Sequence, residues 1–271
     1  MFKSKTSKIA GVLLLSASML LSACGKGDKE TSGTAAKNAL EQIKSKDKIV
    51  IGVKYDTRLF GLKNPSTGDV EGFDIDISKE LAKDLLGDAK KVEFKEVTSK
   101  TRIPMLNNGD IDAIVATMTI SEERKKEVDF SDVYFDAGQS LLVKKGSAIK
   151  GLEDLKKGTK VLAVKGSTSA INIRQKAPDT TVLEFENYTE AFTALKAGQG
   201  DALTTDDSIL YGMADQDSNY ELVGGTFTDE PYGIAVKKGN KELVDAINSA
   251  LKKMKENGKY DEIHKKWIKS H

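Results

Sequence analysis

One stretch of the chain gathers most of what is needed to hold a small charged molecule. Thr117-Met118-Thr119-Ile120-Ser121-Glu122-Glu123-Arg124 combines hydroxyls, the free backbone amides of a helix N-terminus and one guanidinium. That set suits a carboxylate: arginine offers a two-pronged fork, and the amides and hydroxyls add donors. Gly166-Ser167-Thr168-Ser169 is a second turn of the same style, following an apolar run that ends at Val164. Asp206 ends a further apolar run and supplies an anion that can accept from an ammonium group. Carboxylate donors on one side and an acid on the other describe a grip on an α-amino acid. Singly, these residues have plainer readings, with Arg124 as a surface cation beside Glu123 and Glu127 and Asp206 as a helix N-cap. Their matched positions at strand ends favour binding.

The elements that hold these residues show a faint duplication. Leu106 to Thr117 reads LNNGDIDAIVAT and Leu195 to Asp206 reads LKAGQGDALTTD, sharing Leu106/Leu195, Gly109/Gly198, Asp112/Asp201 and Ala113/Ala202. Each copy reads as a helix end, a glycine that can turn with positive φ, and an apolar strand. Ligands of open α/β sheets gather at the carboxyl ends of strands. Two such units predict two α/β lobes whose strand ends, Thr117 and Asp206, face a shared cleft.

Elsewhere strand and helix signals alternate. Strands are expected at 48–54, 92–97, 111–116, 160–164, 181–185, 201–204 and 232–236. Helices are expected at 73–86, from Thr98 with Pro104 in the first turn, and from Ser121 as N-cap. Further helices are expected at 167–176, 188–197 and 206–214, and two close the chain from about Lys241 and Tyr260. The pattern is βα with mainly parallel connections. Gly138 and Asp229-Glu230-Pro231 are the candidate crossings of a two-strand hinge. Lobe 1 is then 47–137 plus 229–271, and lobe 2 is 138–228.

The N-terminus speaks to location. Lys3, Lys5 and Lys8 precede an apolar run, Ile9 to Leu21, that is short for a membrane span and reads as a secretory signal over 1–23. Leu21-Ser22-Ala23-Cys24 resembles a bacterial lipobox, and Cys24 is the one cysteine of the chain, so a lipid attachment is expected there. Residues 24–46 are polar and small and read as a tether, with a short helix possible over 36–43. A flexible stretch of ten residues spans on the order of 17 Å, enough to lift a domain off a membrane surface.

The composition narrows the chemistry. Basic and acidic residues number 42 and 41, for a net charge of +1, which makes no case for nucleic acid. The two histidines, His264 and His271, stand at the C-terminus, so a zinc site or a Ser-His-Asp triad is hard to build and no metal or cofactor is expected.

Gly72-Phe73-Asp74-Ile75-Asp76-Ile77, followed by Thr119 to Arg124, resembles the polar amino-acid substrate-binding proteins of ABC importers, solute-binding family 3. The similarity runs from about Lys48 to Trp267. It implies a type II periplasmic-binding-protein fold, with each lobe a mainly parallel sheet flanked by helices. It also implies an extracytoplasmic monomer that closes on a free amino acid and serves a permease with its ATPase subunits.

By position, Arg124 matches the clamp on the ligand α-carboxylate, with Thr119 and Thr168 as neighbouring donors. Thr117 matches a backbone carbonyl that accepts from the ammonium, and Asp206 the acid that holds it. Phe60 lies near the place of an aromatic that packs on the ligand stem, with Tyr55 also open. Ser99 to Pro104 resembles the glutamate, aspartate or glutamine branch, in which the residue matching Arg102 reaches the ligand side chain. Lys54 and Arg58 add positive charge there. Arginine donates to an amide carbonyl as well as to a carboxylate, so acid and amide both stay open. Arg102 also has a plainer reading as a surface helix cation. Two alternatives remain: a sensor module without transport, and a small dehydratase on the same fold using Asp206 or Glu230.

Overall fold

The computed structural model describes residues 38–268. The expected signal peptide (1–23), Cys24, the first part of the tether and His271 lie outside the described residues. Helix α1 (Ala39–Lys46) is fixed by a capping box, in which Asn38 accepts from the Glu41 N–H and Glu41 reaches back to the Asn38 N–H. Ile43 on α1 is fully buried, so the folded body starts before residue 46, where the tether was expected to end.

Strand β1 (Ile49–Val53) leads into a small antiparallel sheet of β2 (Asp56–Thr57), β3 (Gly61–Lys63) and β4 (Val70–Glu71). Next come α2 (Phe73–Leu86), β5 (Val92–Glu96), α3 (Arg102–Asn108), β6 (Ala113–Ile114), α4 (Glu122–Glu127) and β7 (Val128–Ala137). Then follow β8 (Gln139–Lys144), β9 (Lys160–Val164), α5 (Thr168–Lys176), β10 (Thr181–Phe185) and α6 (Tyr188–Lys196). The chain continues through β11 (Ala202–Asp206), α7 (Asp207–Gln216), β12 (Tyr220–Val223), β13 (Glu230–Lys237), α8 (Lys241–Glu256) and α9 (Lys259–Trp267).

Two five-stranded sheets form, ordered β5-β1-β6-β13-β7 and β10-β9-β11-β8-β12. In each, the first three strands pair in parallel and the last two join antiparallel. The sheets are therefore mixed, where mainly parallel sheets were expected. The antiparallel member of each sheet is the strand by which the chain enters it from the other: β8, reached from β7, in the second sheet and β13, reached from β12, on the return to the first.

The duplicated stretches occupy equivalent places. Gly109 and Gly198 both adopt left-handed φ, 82° and 72°, and their N–H groups close the ends of α3 and α6 on Leu106 and Leu195. The shared aspartates repeat one hydrogen bond: Asp112 accepts from the Val50 N–H at 2.8 Å, and Asp201 from the Lys160 N–H at 2.7 Å. Each locks the central strand, β6 or β11, to its parallel neighbour. Four identities thus encode the same helix stop and strand register twice.

The chain passes between the sheets at Gly138 and again over 224–229. A Cβ on Gly138 would lie 2.6 Å from the Thr228 carbonyl oxygen, so the two crossings touch too closely for any side chain there.

Candidate ligand cleft

Six charged side chains are buried among the described residues: Lys54, Arg102, Arg124, Asp74, Asp206 and Glu230. Each feels the charge of at least one other, so they form a single buried set. Three formal positive charges face three negative ones.

Arg124 lies on α4 behind the Ser121 cap. Its Nη1 donates to the Thr119 carbonyl at 2.8 Å and its Nη2 to the Gly166 carbonyl, on the second lobe, at 3.2 Å. This is a buried arginine whose fork is directed at the turn opposite, which rules out the surface-cation reading. Burial lowers its pKa, opposed by Asp206 and Glu230. The Thr119 and Thr168 hydroxyls stand 3.5 Å apart across the lobes, and Thr168 is the first residue of α5, behind the Ser167 cap.

Asp206 ends β11, and its side chain makes no cap hydrogen bond to α7. Oδ2 accepts from the Tyr232 hydroxyl at 2.5 Å, while Oδ1 is buried with no partner among the described residues. Burial, reinforced by Glu230, raises the carboxyl to about 7. A buried carboxylate oxygen with an open lone pair is what an incoming ammonium needs.

Thr117 has φ 44°, which is left-handed and strained for a β-branched residue. Its N–H donates to Asp74 Oδ2 at 3.0 Å, and its carbonyl accepts from Arg102 Nη1 at 3.3 Å. Arg102 also donates to the Ala116 carbonyl at 2.7 Å, and its buried Nε has no partner among the described residues. Burial and the Arg124 charge lower its pKa to about 9. At 2% exposure, Arg102 is not a surface cation.

Lys54 donates to Ser99 Oγ at 2.9 Å and sits 5.1 Å from the centre of the Tyr188 ring. Burial lowers its pKa to about 8. Arg58, by contrast, is exposed; it lines a 320 Å³ groove with Tyr55 and Tyr188 and stands apart from the buried set. Phe60 is fully buried, packing edge-on against Phe73, Phe135 and Tyr232 at 5.1–6.0 Å. Tyr55 turns its hydroxyl to the Phe94 carbonyl, 3.2 Å away.

The structure thus brings together Lys54, Arg102, Thr117, Thr119, Arg124, Thr168 and Asp206, places Phe60 in the aromatic packing beneath Tyr232, and leaves Arg58 outside. Sequence reasoning missed Tyr232, Tyr188 and Asp74 as parts of this place. For Asp74 a signal existed: Asp74, Ile77, Ser78 and Leu81 form the fully buried stripe of α2, and an acid on such a stripe is out of place without a partner. Glu230 had appeared only as a candidate acid beside a crossing.

Residues 49–270 match the family model described as bacterial extracellular solute-binding proteins, family 3. The chain belongs to this family. It is 72% identical over 266 residues to the ABC transporter glutamine-binding protein GlnH of Bacillus subtilis (strain 168), covering 97% of each chain. It is 66% identical over 223 residues to a glutamine-binding protein of Geobacillus stearothermophilus, covering 82% of this chain and 85% of that one. Among solved structures, an ancestral arginine-binding protein bound to glutamine aligns with a TM-score of 0.77 and 47% identity, over 82% of this chain and 98% of that one. The fold of this extracytoplasmic family is the type II two-lobe α/β architecture. Among the described residues, no helix is long and apolar enough to cross a membrane.

Proposed function

We propose that this protein captures L-glutamine between its two lobes and delivers it to the permease of an ABC importer. The observation that carries the reading is the pairing of Arg124 with Asp206 inside one balanced buried charge set. In this reading the α-carboxylate rests on the Arg124 fork and the amides at Thr119 and Thr168. The ammonium meets Asp206 Oδ1 and the Thr117 carbonyl, and the side chain runs toward Lys54, Ser99 and Arg102.

The charge balance favours an amide over an acid. Above about pH 7, where Asp74 and Asp206, both raised to about 7 by burial, are ionised, glutamine carries no net charge and leaves the set at zero, whereas glutamate adds an uncompensated negative charge to a closed, poorly solvated place. The names of the two curated relatives agree. Contacts made by one ligand to both lobes supply the differential affinity that closes the hinge over Gly138 and 224–229. The lobes are 47–137 with 229–271, and 138–228. The protein works as a monomer, tethered through a lipid on Cys24 after removal of residues 1–23. No covalent step is needed, and neither the sensor nor the dehydratase alternative is favoured.

Arg124→Ala tests the site. Loss of one partner of a buried charged contact costs about 2–5 kcal/mol, so glutamine affinity should fall by about thirtyfold or more. A folded variant that binds glutamine like the wild type would overturn the assignment.

A further inference from the structure

Glu230, like Asp74, is a member of the buried set to which the cleft reading gives no ligand contact. It begins β13, just after the second crossing, and is 2% exposed. Its Oε2 accepts from the Thr119 hydroxyl at 2.7 Å and the Thr168 hydroxyl at 2.8 Å, and its Oε1 from Asn172 Nδ2 at 3.1 Å. Gln139, at the start of β8, completes a ring: its Nε2 donates to Thr168 Oγ1 and its Oε1 accepts from Asn172 Nδ2, both at 3.1 Å. Thr168 and Asn172 are one turn apart on α5, so one carboxylate and one amide, each beside a crossing, hold the first turn of that helix.

Two consequences follow from donor arithmetic. A hydroxyl carries one proton, and both threonines direct theirs at Glu230. Neither hydroxyl is then a donor to a ligand carboxylate, which leaves the Arg124 fork and the backbone amides for that role. The second consequence concerns charge: without Glu230 the buried set would be three cations against two anions.

Resting on the reading of this cleft as a glutamine site, we propose that Glu230 is a specificity-determining positioning residue. Its carboxylate offsets Arg124 without touching the ligand, so the cleft accepts a neutral side chain and refuses an acidic one. The same carboxylate holds Thr119 and Thr168 at the spacing of the closed lobes.

The test is the ratio of glutamine to glutamate affinity, measured by calorimetry on ligand-stripped protein. A unit charge acting over about 8 Å at an effective dielectric of about 20 is worth about thirtyfold in a binding constant. Glu230→Gln, nearly isosteric, should lower the ratio by at least tenfold, with glutamate gaining relative to glutamine. Glu230→Asp, which keeps the charge, should retain the wild-type ratio even if both affinities fall. Asn172→Lys sets an ammonium beside Glu230, offsets its charge and should likewise lower the ratio, a readout that stands even where Glu230→Gln does not fold. Equal losses for both ligands in Glu230→Gln, or a ratio unmoved in both Glu230→Gln and Asn172→Lys, would overturn the proposal while leaving the glutamine reading intact. Wild-type protein that takes neither ligand would refute the glutamine reading itself, and this proposal with it.

Discussion

Asp206→Asn should make the ligand-free protein more stable and the ligand-binding protein much worse. Asp206 is 4% exposed, and burial together with Glu230 raises its carboxyl from 3.8 to about 7. Between those values the folded state keeps a proton that the unfolded chain releases, so stability falls as pH climbs through the window. At pH 8 the penalty is on the order of 4 kcal/mol. Asparagine keeps an acceptor for the Tyr232 hydroxyl but leaves an unpartnered amide where Oδ1 lies, which costs about 1–3 kcal/mol. The net expectation at pH 8 is a gain of about 1–3 kcal/mol over wild type, and at pH 4 a loss of similar size.

Binding moves the other way. Losing the acid that meets the ammonium costs about 2–5 kcal/mol, so glutamine affinity should drop by about thirtyfold to several thousandfold. Wild-type affinity should also rise with pH up to about 7, because the ligand prefers the ionised acid, and that rise should vanish in the variant. Urea unfolding of ligand-free protein at pH 4, 6 and 8, paired with calorimetry at the same pH values, reads both effects. A variant less stable than wild type at pH 8, or one that keeps glutamine affinity within threefold, would refute the reasoning.

Burial lowers Lys54 from 10.5 to about 8, so the unfolded chain holds more protons between those values and stability rises with pH across that window. Lys54→Met should abolish this rise and add about 2 kcal/mol at pH 7, with glutamine binding weakened about tenfold; thermal unfolding at pH 7 and 9.5 checks the first part. At Gly166, φ is 75° and a Cβ would lie 2.8 Å from Lys100 Cα on the other lobe. Gly166→Ala should hold the lobes apart, costing about 1–2 kcal/mol in backbone strain and more than tenfold in glutamine affinity. Small-angle scattering at saturating glutamine should then report a larger radius of gyration than wild type.

The helix–glycine–strand duplication was legible because its identities are the ones that backbone geometry requires twice. Phe73–Leu86 and Thr181–Phe185 matched their sequence patterns to the residue. Strands β7, β8 and β12 were not foreseen, for a physical reason. Strand β7 pairs with a β13 whose register shifts twice near Gly233, and its burial follows no period of two. Strand β8 is buried almost throughout, so it shows no alternation either. These strands flank the crossings at Gly138 and 224–229; the sequence pointed to Gly138 and to Asp229-Glu230-Pro231, of which Glu230 and Pro231 lie in β13, and it gave no sign of how the sheets are closed.

In the cleft, Arg124, Thr119, Thr168 and Asp206 could be read from their strand-end and helix-start positions. Tyr232 and Glu230 could not, because they act from a hinge strand and reach residues far away in sequence. Arg58 was expected inside on charge alone, and the exposed turn after β2 keeps it out.

The most direct measurement is calorimetry of the ligand-stripped wild-type protein against glutamine and glutamate at about pH 8, where Asp74 and Asp206, each raised to about 7, are ionised. Balanced buried charge predicts tight one-to-one binding of glutamine and an affinity for glutamate at least tenfold weaker. Equal or tighter binding of glutamate would contradict the account.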